Sequence, residues 1–252
     1  MPDSLTLELG DGLAVMTLRA PERRNALNLE MAAAMIEACE TIDADPTVGA
    51  VIVTGEGGYF CAGGDRGVLA KAGEDPAAPD TYSGMSTIYN AFARVGRLEP
   101  PTLAAIRGGA LGAGLNLALA TDVRVVADDA VLLSGFLPIG LHPGGGHSLL
   151  LSRAGSRETA NALALFGQRL TGVEAVERGL AWKAVPSEQV DGCARELASV
   201  PAADPELARR TAASMRRITG PPLIPWEAAL DLERAGQMWS MRRKALRAGD
   251  GS

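Results

Sequence analysis

The sequence lacks the features that would place a chain outside the cell, in a membrane or around a metal. It has three cysteines, Cys39, Cys61 and Cys193, and none belongs to a Cys-x-x-Cys pair. An odd number without paired spacing argues against a disulfide framework and fits a reducing cytoplasm. No run of about 18 apolar residues occurs, so no membrane span is expected. Met1-Pro2-Asp3-Ser4 has no basic region followed by an apolar run, so no signal peptide is expected. The histidines are His142 and His147, five apart across three glycines, with no Cys or Glu beside them. That is not a metal-ligand spacing, and no metal site is expected.

Several nucleotide and hydrolase signatures are also missing. No G-x-G-x-x-G follows a strand, no G-x-x-x-x-G-K-[ST] occurs, and no G-x-S-x-G occurs. The formal net charge of -6 argues against nucleic acid as a main partner. It does not exclude an anionic ligand, because local arginines and helix N-termini bind phosphate on acidic proteins. The apolar fraction of 47% over 252 residues supports a core and one large domain, or one domain with a smaller appendage.

The pattern along the chain is α/β. Residues 5–9 and 13–18 read as strands joined by Gly10-Asp11-Gly12. Met31, Met35, Ala38 and Ile42 recur at helical spacing and predict a helix over 29–43. Residues 49–54 read as a buried strand, and 68–82, with Gly73, Pro76 and Pro79, as a mobile surface loop. A helix is predicted over 84–98, a strand over 102–106, a helix ending near Ala120, and strands over 122–127 and 130–133. After Pro143 the chain reads mainly helical.

Two glycine-rich turns each follow a predicted buried strand: Phe60-Cys61-Ala62-Gly63-Gly64-Asp65, and Gly108-Gly109-Ala110-Leu111-Gly112-Ala113-Gly114. Small residues let a ligand approach the backbone, and a helix start leaves N–H groups without intrahelical partners. Two such groups converging on one point would form an oxyanion hole. The plainer alternative is that the glycines only make tight turns.

At this point the motifs resemble a known family. Pro21-Glu22-Arg23-Arg24-Asn25-Ala26-Leu27 resembles the P-x-x-x-N-A-L loop of the enoyl-CoA hydratase/isomerase (crotonase) family. Residues 51–65 resemble its strand and A-G-x-D turn, and residues 101–122 its P-x-x-A-x-x-G-x-x-x-G-x-G segment. Residues 140–146 resemble its G-x-x-P-G-x-G turn, and 175–185 the segment that follows. The matches keep their order over roughly residues 5–235.

The resemblance implies a spiral of ββα units (residues 1–195) and a helical C-terminal region (196–252) that builds homotrimers or hexamers. It implies an acyl-CoA or enoyl-CoA thioester as partner, with coenzyme A as part of the substrate and no permanently bound cofactor. It places the oxyanion N–H groups at Gly64 and Ala113. It places coenzyme A near Arg24, Ala26, Ala62, Gly63, Gly109 and Gly112.

The two positions where the family's hydratases carry glutamates are Asn116 and Phe136 here. Asn cannot take up a proton at neutral pH, and Phe has no polar atom. A phenyl ring there makes the chamber more apolar, which favours acyl chains over water activation. His142, beside the proline turn, is the candidate acid or base, or else a core-filling residue. Asp65 is a second candidate, or else a support of its turn. His147 and Asp122 read as structural, and either Tyr82 or Tyr89 could reach a pocket. Arg242, Arg243, Lys244 and Arg247 read as a solvated basic face or a phosphate contact. Three readings follow: an enoyl-CoA hydratase/isomerase-type enzyme, another crotonase reaction (thioester hydrolysis, decarboxylation or C–C cleavage), and a non-catalytic acyl-CoA binder.

Overall fold

The computed structural model describes residues 3–219 and 225–249. The chain opens with β1 (Leu5–Gly10) and β2 (Leu13–Leu18), paired antiparallel. Asp11 and Gly12 both have positive φ, 52° and 75°, which suits the right-handed twist of a two-residue hairpin. α1 (Leu29–Ala44) follows; Asn28 accepts from the Met31 N–H and so caps its start. Met31, Met35, Ala38 and Ile42 are all buried, as their spacing predicts.

β3 (Ala50–Gly55) is buried at every position. It leads to α2 (Arg66–Glu74), α3 (Pro79–Val95) and β4 (Thr102–Ile106). Next come β5 (Gly109–Leu111), α4 (Ala113–Ala120), β6 (Val123–Ala127) and β7 (Val131–Leu133). Then α5 (His147–Ala154), α6 (Arg157–Ala164), β8 (Arg169–Leu170), α7 (Gly172–Glu177) and β9 (Lys183–Val185) complete the core. α8 (Val190–Ala202), α9 (Pro205–Thr219) and α10 (Trp226–Gly249) end the chain.

The main sheet has the order β1-β2-β3-β4-β6-β9, and every pair from β2 onward is parallel. A smaller sheet, β5-β7-β8, stands beside it. In the smaller sheet β5 follows β4 and β7 follows β6, while β8 comes after α6. The succession strand, strand, helix therefore recurs along the core. The strand before each glycine turn is a buried parallel strand, so both turns leave the main sheet at the same edge of its parallel strands.

Residues 68–82, expected as a mobile loop, are largely helical: they run through most of α2 and the start of α3. Two local features explain the difference. Asp65 accepts from the Gly67 and Val68 N–H groups and starts α2. Pro79 sits in the first turn of α3, where a missing N–H costs nothing. Gly73 lets α2 approach α10, because a Cβ there would lie 3.1 Å from the Met241 carbonyl oxygen. β5 and the short strands β8 and β9 also depart from the sequence reading. All three are only two or three residues long, too short to show a period of two.

Residue 195 lies inside α8, so a helix continues across the expected boundary between core and C-terminal region. Asp122 is structural, as read: it accepts from the Thr102 N–H and hydroxyl and pairs with Arg216 of α9, pinning β4, β6 and α9 together. Among the described residues no helix is long and apolar enough to cross a membrane.

Candidate active site

The two glycine turns run side by side. The Cys61 N–H donates to the Gly109 carbonyl and the Leu111 N–H to the Cys61 carbonyl, at 3.1 and 3.0 Å. Gly114 allows this approach, since a Cβ there would lie 2.3 Å from the Cys61 carbonyl oxygen. Gly63, at φ 102°, is held by the Leu27 N–H, and the Asp65 N–H returns to the Leu27 carbonyl. The loop around Arg24 is tied in as well: the Ala62 N–H donates to the Arg24 carbonyl at 2.9 Å. Buried Asn25 locks that loop, accepting from the Ala20 N–H and donating to the Glu56 and Tyr59 carbonyls.

Between the turns lies a cavity of 280 Å³. Gly64 and Ala113 both line it. Among the described residues neither of their N–H groups has an acceptor. Ala113 is the first residue of α4, so its N–H is one of the helix's unpaired donors. Two such donors in one wall can hold an oxyanion, and the positive end of α4 adds to their effect.

The remaining wall is mostly apolar, with Met85, Ile88, Phe92, Phe136 and Leu141 among its side chains. Among the described residues its polar side chains are Arg66, Tyr89, Asn116, Ser134 and Gln237, and none is a carboxylate. Tyr89 is 3% exposed, and its hydroxyl has no partner among the described residues. Burial pushes the Tyr89 phenol well above its ordinary range, so it stays protonated and serves as a donor.

Asn116 and Phe136, the two positions of interest in the sequence, meet at one place. Asn116 Oδ1 is 2.7 Å from His147 Nδ1, and Phe136 packs edge-on against the His147 ring with centroids 4.9 Å apart. His147 Nε2 is 2.7 Å from Ser134 Oγ. His147 is fully buried, and burial pulls its imidazole down to about 3, so the ring is neutral at physiological pH. The N-terminus of α5 is closed by buried Glu233 of α10, which accepts from the His147 and Ser148 N–H groups at 2.9 and 3.0 Å. His147 is therefore held at both its backbone and its ring.

The other expected residues are placed as follows. Ala62, Gly63 and Gly112 line the cavity with Gly64 and Ala113. Arg24 is exposed near its rim, with its guanidinium 5.6 Å from the Tyr59 ring centre, and Ala26 is buried at 8% exposure. Gly109 lies away from the cavity, buried in β5 under the Tyr59 hydroxyl. His142 is exposed, outside the cavity wall, with Nδ1 2.6 Å from the Pro143 carbonyl oxygen and its ring against Gly236 of α10. Asp65 is occupied as the cap of α2. Tyr82 is 44% exposed under the Arg234 guanidinium, which lies 4.5 Å from its ring centre. Arg242 donates to the Glu74 carbonyl at 2.6 Å; the side chains of Arg243 and Arg247 lie outside the described residues. Ser134 carried no sequence signal. His147 carried only its residue type, and its partners come from segments 31 and 13 residues away.

Comparison with known proteins agrees with this architecture. The chain is 40% identical over 233 residues to a probable enoyl-CoA hydratase, EchA14, of Mycobacterium tuberculosis, covering 92% of this chain and 86% of that protein. It is 34% identical over 241 residues to the 1,2-epoxyphenylacetyl-CoA isomerase of Escherichia coli K12, covering 94% and 90%. The crystal structure of an enoyl-CoA hydratase/isomerase from Xanthobacter autotrophicus superposes with a TM-score of 0.84 at 29% identity, over 98% of this chain and 96% of that one. The family model described as enoyl-CoA hydratase/isomerase matches residues 8–226, and the chain belongs to that family, with the crotonase fold.

Proposed function

We infer that this chain is an enzyme acting on an acyl-CoA thioester, and that it holds the thioester oxygen of an enolate between the Gly64 and Ala113 N–H groups. The observation that carries this reading is a pair of acceptor-free backbone donors in the wall of one largely apolar cavity. An enolate forms when a proton leaves the saturated carbon beside the thioester or, in a 2-enoyl thioester, the saturated carbon next beyond the double bond, and its charge gathers on the thioester oxygen. Donors already in place stabilise it without reorganisation.

The composition of the wall favours proton movement within the acyl group over addition of water. Among the described residues no carboxylate lines the cavity, and Phe136 fills one position where the resemblance places a hydratase glutamate. The names of the relatives include both a hydratase and an isomerase. The adenine end of coenzyme A fits the rim formed by exposed Arg24 and the Ala62–Gly63 turn. The trimer or dimer of trimers implied by the resemblance stays part of this reading. A second reading, a non-catalytic acyl-CoA binder, draws on the same lack of carboxylates.

The deciding experiment mixes the full-length protein with short- and long-chain trans-2-enoyl-CoAs in deuterated water and follows the thioesters by mass spectrometry. Deuterium uptake or double-bond migration without gain of water is the expected result. Gain of one water would make it a hydratase. An unchanged thioester that nevertheless binds would establish the binder.

A further inference from the structure

The contacts among Asn116, His147 and Ser134 have a direction that can be worked out from one end. Asn116 Nδ2 donates to the Gly144 carbonyl at 2.9 Å. Its Oδ1 is therefore turned to His147, and Oδ1 can only accept. His147 Nδ1, 2.7 Å away, must carry the ring proton. That leaves a lone pair on Nε2, so the Ser134 hydroxyl, at 2.7 Å, is the donor. Ser134 lines the cavity, whereas His147 is fully buried behind it. Nucleophile-to-base and base-to-orienter contacts of this kind are the usual mark of an activated hydroxyl.

Among the described residues the rest of the wall offers no competing proton acceptor. Arg66 is a cation. Tyr89 is held in its protonated form by burial. Amides such as Asn116 and Gln237 are not bases. His142 and Asp65 lie outside the wall. Ser134 alone, among the described cavity residues, donates to a neutral imidazole.

We propose that Ser134 is the catalytic proton carrier of the enolate chemistry and that His147, oriented by Asn116, works through it. This rests on the enolate reading above. In the forward step a C–H bond of the acyl group breaks and its proton passes to Ser134 Oγ. The Ser134 O–H proton passes at the same time to His147 Nε2. The C–H electron pair becomes the enolate, whose oxygen lies at the Gly64 and Ala113 N–H groups. The reverse step returns a proton to the same carbon or to another carbon of the conjugated system, giving exchange or isomerisation with no water consumed. The imidazolium is costly in so buried a place, but the enolate forms in the adjoining cavity, where a low dielectric strengthens their attraction. Glu233, already bonded to the His147 backbone N–H, adds a second negative group. Phe136, edge-on to the ring, keeps water from it.

The test compares wild type with Ser134→Ala and His147→Gln by deuterium uptake into a trans-2-enoyl-CoA, alongside calorimetric binding of the same thioester. Both variants should bind within about threefold of wild type and exchange at least about a hundredfold more slowly. Wild-type exchange should be flat from pH 6 to 9, because the relay is neutral, whereas residual exchange in Ser134→Ala should rise about tenfold per pH unit as hydroxide takes over. A merely structural network would leave the shape of that profile unchanged. Ser134→Ala removes a single oxygen, so it carries the test even where His147→Gln fails to fold. Exchange in Ser134→Ala within threefold of wild type would overturn the proposal, as would an acyl group found covalently on Ser134 in quenched wild-type enzyme. Failure of wild type itself to exchange a bound thioester would instead remove the enolate reading.

Discussion

His147 Nδ1 lies 2.7 Å from Asn116 Oδ1, so the residue that starts α5 is tied to the helix that follows the second glycine turn. The contact joins two neutral groups in a fully buried place. Its consequences reach from chemistry to stability.

The first is a pH dependence of folding. The His147 imidazole lies at about 3 in the native protein, against an ordinary value of 6.5. Between those values the unfolded chain binds a proton that the native state does not. This contribution to stability is fully present above pH 6.5 and is lost as pH falls toward 3. Its size is on the order of 5 kcal/mol. Urea midpoints should therefore fall more steeply from pH 6.5 to 4 in wild type than in His147→Gln. Parallel slopes would mean that His147 is protonated in the fold.

Ala113→Pro tests the oxyanion donor with little structural disturbance. The first position of a helix accepts proline, because its N–H has no helical partner. We expect turnover to fall by about 10²–10³, or about 3–4 kcal/mol of barrier, with the unfolding temperature nearly unchanged. Unaltered kinetics would remove Ala113 from the site.

His142→Ala and Asp65→Ala separate sequence proximity from spatial proximity. His142 is exposed against α10, and its loss should leave turnover within about twofold. Asp65→Ala should cost about 1 kcal/mol of stability through the lost cap of α2, read as an earlier urea midpoint. Turnover abolished by His142→Ala with thioester affinity intact would restore His142 as the acid or base.

Gly114→Ala should force the glycine turns apart, since its Cβ would fall 2.3 Å from the Cys61 carbonyl oxygen. A loss of about 1–3 kcal/mol in unfolding free energy is expected, together with weaker thioester binding. Gly192→Ala in α8 is the matched control: its Cβ meets nothing within 4 Å, so stability should hold or rise. Equal behaviour of the two variants would show that the turns tolerate separation.

Much of the architecture was legible because it repeats locally. Met31, Met35, Ala38 and Ile42 announce α1 by their period, and the unbroken apolar run of β3 announces a strand buried on both faces. In the segment 68–82 glycine and proline point to a loop, but Pro79 starts a helix and Gly73 seats α2 against α10. The expectation for His142 rested on its place beside the proline turn. Chain neighbours of a turn diverge in direction, and the His142 ring faces α10 while the Gly144 carbonyl, two residues on, accepts from Asn116.

The sequence by itself determined the α/β core, the two glycine turns and the lack of glutamate at positions 116 and 136, because each is written in a short stretch of residue types and spacings. Tertiary structure alone decided which polar groups gather around those two positions. Ser134, His147 and Asn116 come from a loop and two helices, and the direction of their hydrogen bonds depends on the Gly144 carbonyl and on burial beneath Phe136 and α10. Polarity and protonation of that kind follow from which groups are desolvated together, and spacing along the chain carries no record of it.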